Sequence, residues 1–103
     1  MSDMTVANEI NRQINVMSKG QFRMMTGAKD FVGGENYLMF RIGQNCHKIN
    51  KVKITLTPAD TYTMEFFRIR GANFTVAAKH EDVYFDQLLP IFEKETGMYV
   101  RIF

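Results

Sequence analysis

Between Tyr37 and Lys79, apolar and polar residues alternate along three separate runs, and no other feature of the chain restricts its fold so tightly. Leu38, Phe40 and Ile42 alternate with Tyr37, Met39 and Arg41; Val52, Ile54 and Leu56 with Lys51, Lys53 and Thr55; Phe74, Val76 and Ala78 with Thr75, Ala77 and Lys79. Successive side chains of a strand point to opposite faces, so each run predicts a strand with one buried and one outward face. The stretch TYTMEFFRIRG predicts another, with Tyr62, Met64 and Phe66 inward until the phase reverses at Phe67. A β-bulge near Phe66 and Phe67 accounts for the reversal, since one extra residue turns every later side chain to the other face. TPAD sets Pro58 and Asp60, and RGAN sets Gly71 and Asn73, between neighbouring runs. Links this short join antiparallel strands. QFRMMTG (21–27) reads as an additional first strand, TGAKDFVGGEN (26–36) as the glycine-rich loop after it, and GQNCHKIN (43–50) as a second loop.

Helical spacing appears at the two ends. Val6, Ile10, Ile14 and Met17 form one apolar stripe, which predicts a helix over 5–18. Asp3 or Thr5 can cap its start, Lys19 suits its negative end, and Gly20 can take the left-handed stop position. HEDVYFDQLLPIFEKETG (80–97) predicts a second helix, with Tyr84, Leu88, Ile91 and Phe92 on one side, acidic Glu81 and Asp82 at its start and Gly97 at its end. Pro90 inside it predicts a kink, because proline removes a helical hydrogen bond at a cost of about 3 kcal/mol. MYVRIF is expected to be an extended tail or edge strand. The fold class is therefore α+β: an antiparallel β-meander of four to five strands with an N-terminal and a C-terminal helix packed on one face.

A chain of 103 residues, 46% hydrophobic and 23% charged, is expected to form a single domain over 1–103 around one core. No apolar run approaches the roughly 20 residues of a membrane-spanning helix, and the first residues lack the pattern of a secretory leader, so a cytosolic protein with no membrane partner is expected. Cys46 is the only cysteine, which excludes an intramolecular disulfide and a cysteine-rich zinc site. The net charge of +2 is unevenly spread: residues 37–79 hold seven basic against two acidic side chains, and residues 80–103 hold two against five. One flank is basic and the other acidic, which bears on partners rather than on fold.

The segments TGAKDFVGGEN, KVKITLTPADTYTMEFFRIRG, EDVYFDQL and IFEKETGMYVRIF, in that order and spacing, resemble a family of small hypothetical proteins encoded by tailed bacteriophages. The resemblance covers nearly all of the chain after the first helix. The family has no assigned activity, so the likeness implies an accessory protein in the cytoplasm of an infected bacterial host and carries over no functional residue.

The candidate chemistries are thin. A phosphate loop needs its lysine directly before a Ser or Thr that opens a helix, whereas Lys29 precedes Asp30 and a strand follows Gly34. Cys46, His47 and His80 match no common zinc spacing, and adjacent Cys and His seldom reach a productive nucleophile geometry. Asp82 and Asp86, one turn apart on the predicted helix, could hold a divalent ion, but acidic residues in a first turn are what the helix dipole favours anyway. No metal, no cofactor and no catalysis is therefore expected.

The outward sheet face says more. If the alternation holds, Tyr37, Met39, Arg41, Lys51, Lys53, Phe67, Thr75 and Lys79 project together, and all of these except Thr75 are taken as the candidate partner-binding set. A solvated strand face with scattered lysines is the default for such a surface. Basic side chains among aromatics also bind single-stranded nucleic acid, while aromatic and Met side chains left uncovered mark protein interfaces. The expectation is a non-catalytic phage accessory protein that binds a host protein or protein–nucleic acid complex, acting as an inhibitor of a host defence or nucleic-acid-processing system. Direct binding of single-stranded nucleic acid through the sheet face is the alternative, and self-association stays open.

Overall fold

The computed structural model describes residues 5–17, 26–43, 45 and 47–98. Helix α1 (Thr5–Met17) precedes five strands, β1 (Lys29–Gly33), β2 (Tyr37–Arg41), β3 (Lys51–Leu56), β4 (Tyr62–Arg70) and β5 (Asn73–Val83); a 3-10 turn (Phe85–Gln87) then leads into helix α2 (Leu88–Thr96). The strands make one antiparallel sheet in chain order. The fold is thus an α+β meander with a helix at each end.

Alternation decides what the sheet buries. Leu38 pairs with Ile54 and Ile54 with Met64, while Phe40 pairs with Val52 and Val52 with Phe66, so two apolar rows cross the inner face from β2 to β4. Ala7, Ile10 and Ile14 of α1 and Leu88, Leu89 and Phe92 of α2 close over these rows in one core. Phe31 of β1 stacks on Phe40 with ring centroids 5.1 Å apart, and Phe92 lies 6.4 Å from Phe66. Large side chains such as Phe40 and Phe66, with no exposed surface, contribute most of the burial that holds such a domain together.

The turns follow their residue chemistry. Asp60 takes a left-handed φ of 62° and donates its amide to the Thr57 carbonyl, closing the β3–β4 link. Gly71, at φ 56°, stands first in the two-residue loop between paired Arg70 and Asn73, where a II′ hairpin requires glycine. Gly97 ends α2 in the left-handed conformation and donates to the Glu93 carbonyl, as its position in the sequence predicts.

Four expectations are corrected. The glycine-rich stretch is not a loop: Lys29–Gly33 forms the edge strand β1, with an extra residue between Lys29 and Val32 where Asp30 adopts φ 55°. Gly34 is glycine for a packing reason, since a Cβ there would stand 2.1 Å from the Tyr37 ring. Residues 80–83 belong to β5, not to a helix, so Asp82, in a second bulge at φ 55°, and Asp86, in the 3-10 turn, share no helical face. Pro90 causes no kink, because α2 begins at Leu88 and proline occupies the first turn, where its missing amide has no helical acceptor. Phe74 and Val76 do not join the core; they are 61% and 50% exposed. The body of the 21–27 strand, the Asp3, Lys19 and Gly20 signals, Cys46 and the 99–103 tail lie outside the described residues.

Two measurements check this arrangement. Pro90→Ala should change unfolding free energy by less than about 1 kcal/mol in a denaturant titration; a gain near 3 kcal/mol would place proline inside the helix after all. Burial pushes the Tyr62 hydroxyl above its usual pKa, and the charges of Glu9 and Asp60 add to the effect. The raised folded value leaves stability intact below the unfolded pKa of about 10 and removes it as pH climbs beyond. Alkaline unfolding should be shallower in Tyr62→Phe than in the parent chain.

Candidate functional site

The face of the sheet turned away from the helices is the candidate site, and strand register specifies its rows. Val32, Met39, Lys53, Glu65 and Lys79 form one row; Lys29, Arg41, Lys51, Phe67 and Val76 form the next; Ile69 and Phe74 lie beyond it, and Tyr37, Thr55 and Thr63 on the other side. The register therefore brings Tyr37, Met39, Arg41, Lys51, Lys53, Phe67 and Lys79 onto one face. Thr75 is not with them, since it pairs with Arg68 on the opposite side.

A bulge explains both the exclusion of Thr75 and the gain of Phe74 and Val76. Between the Phe66–Ala78 and Phe67–Val76 pairs, β5 carries Ala77 as an extra residue. Pairing of β4 with β3 runs through the same place without a break. The shift stands at Phe66 and Phe67 as the sequence predicts, but the extra residue belongs to the partner strand. One inserted residue turns Val76 and Phe74 outward and Thr75 inward.

Phe67 departs from its expected role. It faces outward yet is only 5% exposed, because the Phe74 ring covers it at 4.7 Å between centroids. Phe74 is the accessible aromatic, and with Val76 and the half-buried Ile69 it makes a satellite cluster over Phe67. Tyr37 is fixed by its fit over Gly34 and by the Lys53 ammonium, 4.7 Å from its ring centre.

Charge on this face is one-sided: Lys29, Arg41, Lys51, Lys53 and Lys79 stand against Glu65 in the strand register. Like charges abreast, as in Lys29, Arg41 and Lys51, disfavour folding. The Asp30 carboxylate, 3.7 Å from Arg41, and Glu81, 3.6 Å from Lys79, offset part of that repulsion. Lys51 has no ion-pair partner among the described residues.

Across the molecule, His80 lies on the inner face beside Met64, its Nε2 hydrogen-bonded to Glu95 of α2 at 2.5 Å and its ring edge-on to Phe66. A shared helix would have placed these two residues on different turns, so the pairing is invisible to periodicity. It braces β5 to α2. On α1, hydrogen bonding to Arg12 holds the Glu9 carboxyl below its ordinary pKa and raises that of Arg12. Among the described residues, no group of three or more His, Cys, Asp or Glu side chains is placed to hold a metal ion, and no helix is long and apolar enough to cross a membrane. Comparison with protein-family models, with curated proteins and with solved structures finds no match.

Phe67→Ala should behave as a core substitution and not as loss of a surface contact. The expected cost is about 3 kcal/mol in chemical unfolding, against less than about 0.5 kcal/mol for Lys51→Ala. Equal small losses for the two would contradict the satellite cluster.

Proposed function

We propose that this chain is a non-catalytic accessory protein of a bacteriophage and that it binds a protein of the bacterial host through the open face of its sheet, inhibiting a defence or nucleic-acid-processing system. The observation that carries the binding reading is the satellite cluster: Phe74 and Val76 more than half or half exposed on a face that neither helix covers, with Val32 at 48% exposure toward the other edge. Exposed apolar side chains rimmed by charge are the composition of protein interfaces. The phage context rests on the resemblance of the sequence segments.

The charge of the face selects among partners. A symmetric dimer through it would set the row of Lys29, Arg41 and Lys51 against its own copy, and like charges oppose such pairing. An acidic surface with an apolar centre meets no such penalty. Single-stranded nucleic acid on the same face has less support, because the Phe67 ring is covered and Tyr37 and Lys53 are engaged with each other.

The test uses Val76→Asp, which places a carboxylate in the cluster at an exposed position. Affinity capture from an infected host lysate should retain a stoichiometric protein on the parent chain, retain it after nuclease treatment, and lose it with Val76→Asp. Retention by the variant, or release by nuclease, rejects the reading. Sedimentation of the purified chain should show a monomer; a dimer dispersed by Val76→Asp would replace the host partner with a second copy.

A further inference from the structure

The geometry points to a second binding site, for the phosphodiester backbone of single-stranded nucleic acid, around the end of the sheet where the 43–50 loop meets the β4–β5 hairpin. Three open depressions follow one another there. Arg41 and Lys51 line the first, together with Asn50 and Ile69. The second, of about 460 Å³, shares Asn50 with it and adds Lys48 and Arg70. The third, of about 370 Å³, shares Arg70 with the second and adds Arg68, Phe74 and Thr75. Two of the three fall in the size range of ligand sites, about 300–1,000 Å³. Five cations line this path, of which Arg41 is paired with Asp30 at 3.7 Å, and no acidic side chain lines the depressions themselves among the described residues.

The path is held in shape by its own hydrogen bonds. Asn50 continues the sheet with its side chain, donating to the Ile69 carbonyl at 2.7 Å and accepting from the Ile69 amide at 2.9 Å. Asn45 ties the loop together, donating to the Gly43 and Ile49 carbonyls and accepting the Ile49 amide. Arg68 donates from Nε to the His47 carbonyl at 3.0 Å, so hairpin and loop are joined. Lys48 is exposed at φ 59°, a conformation a lysine seldom adopts, while Lys48 and Arg70 have no ion-pair partner among the described residues. A fixed scaffold that presents unpaired cations is suited to anions spaced along a chain.

Phe74 distinguishes a nucleic acid from other polyanions. It lies at the end of the path and is 61% exposed, so one face of its ring can stack on a base while the other covers Phe67. Cationic grooves joined to such rings hold single strands by phosphate neutralisation and stacking. The path shares Arg41, Lys51 and Phe74 with the open face, so a nucleic-acid strand and a protein partner would compete there, but strand binding does not depend on that partner.

Anisotropy of a fluorescently labelled oligothymidylate should report binding that weakens steeply between about 50 and 200 mM salt, each phosphate contact adding about 0.7 to the log–log slope. Arg70→Ala and Lys48→Ala should each lower that slope by about 0.7, whereas Lys94→Ala, at an exposed position of α2, leaves it unchanged. Phe74→Ala should weaken the oligonucleotide about tenfold and leave competition by poly-L-glutamate unaltered. Thermal unfolding of each variant identifies any that has lost its fold, and the unchanged slope of Lys94→Ala serves as the internal standard. Val32→Asp, on the open face but away from the path, separates the two readings, since it should weaken protein capture while oligothymidylate still binds. No binding at low salt overturns the proposal, as does binding to which Lys94 contributes as much as Arg70. Poly-L-glutamate as effective as oligothymidylate, with no effect of Phe74→Ala, assigns the path to an acidic protein surface instead.

Discussion

The pairing of β4 with β5 is the constraint on which the rest of the molecule depends. With nine and eleven residues these are the longest of the five described strands, and β5 carries two extra residues relative to its partner, at Ala77 and in the 81–82 region. Between the two bulges Ala78 and His80 face the helices, where His80 reaches Glu95 and Phe66. Beyond the Ala77 bulge the phase inverts and the same strand presents apolar residues to the other side. A single strand thereby serves the core at one end and the open face at the other, without any change in its hydrogen-bonded partner.

This inversion has an energetic consequence. A two-layer domain of this size has one main core, and apolar residues outside it normally lie singly on the surface. Here Phe67, Ile69, Phe74 and Val76 gather on the uncovered side, and only Phe67 is removed from water. The cluster is sufficient to protect one ring and leaves the other more than half exposed. Such partial burial leaves apolar area on the open face of a domain whose main core lies on the other side of the sheet. In the same row as Phe67 and Val76, Lys29, Arg41 and Lys51 stand abreast, a repulsion that Asp30, 3.7 Å from Arg41, offsets in part.

The asparagines at the end of the sheet show how a loop acquires a fixed shape in a small domain. Asn45 and Asn50 each bond the backbone in both directions, so the 43–50 connection replaces strand pairing with side-chain pairing where β2 and β3 stop. Nothing in residue spacing announces such a role, since a run of polar residues between two strands reads only as a loop. The basic side chains were visible as an excess between residues 37 and 79, but their grouping around one end required the hairpin to close. Lys48 and Arg70, 22 positions apart in the chain, meet at one depression for that reason.

Alternation by itself determined the central strands, their inner rows and the side on which Tyr37, Met39, Arg41, Lys51, Lys53 and Lys79 lie, because a period of two leaves no freedom once one face is buried. Helical spacing likewise determined α1, and the glycine after Thr96 determined where α2 stops. The start of α2 was not legible, because Tyr84, Leu88 and Phe92 fit a helical stripe equally well if the chain up to Val83 is a strand. The strand β1 was hidden because glycines at 33 and 34 read as a turn, whereas Gly34 answers to the Tyr37 ring above it. The tertiary structure alone decided which strand carried the extra residue, that Phe67 would be covered, and that His80 would meet Glu95. Each of these is a contact between residues distant along the chain, and a local pattern records which faces a residue can take, not what the other strand places opposite it.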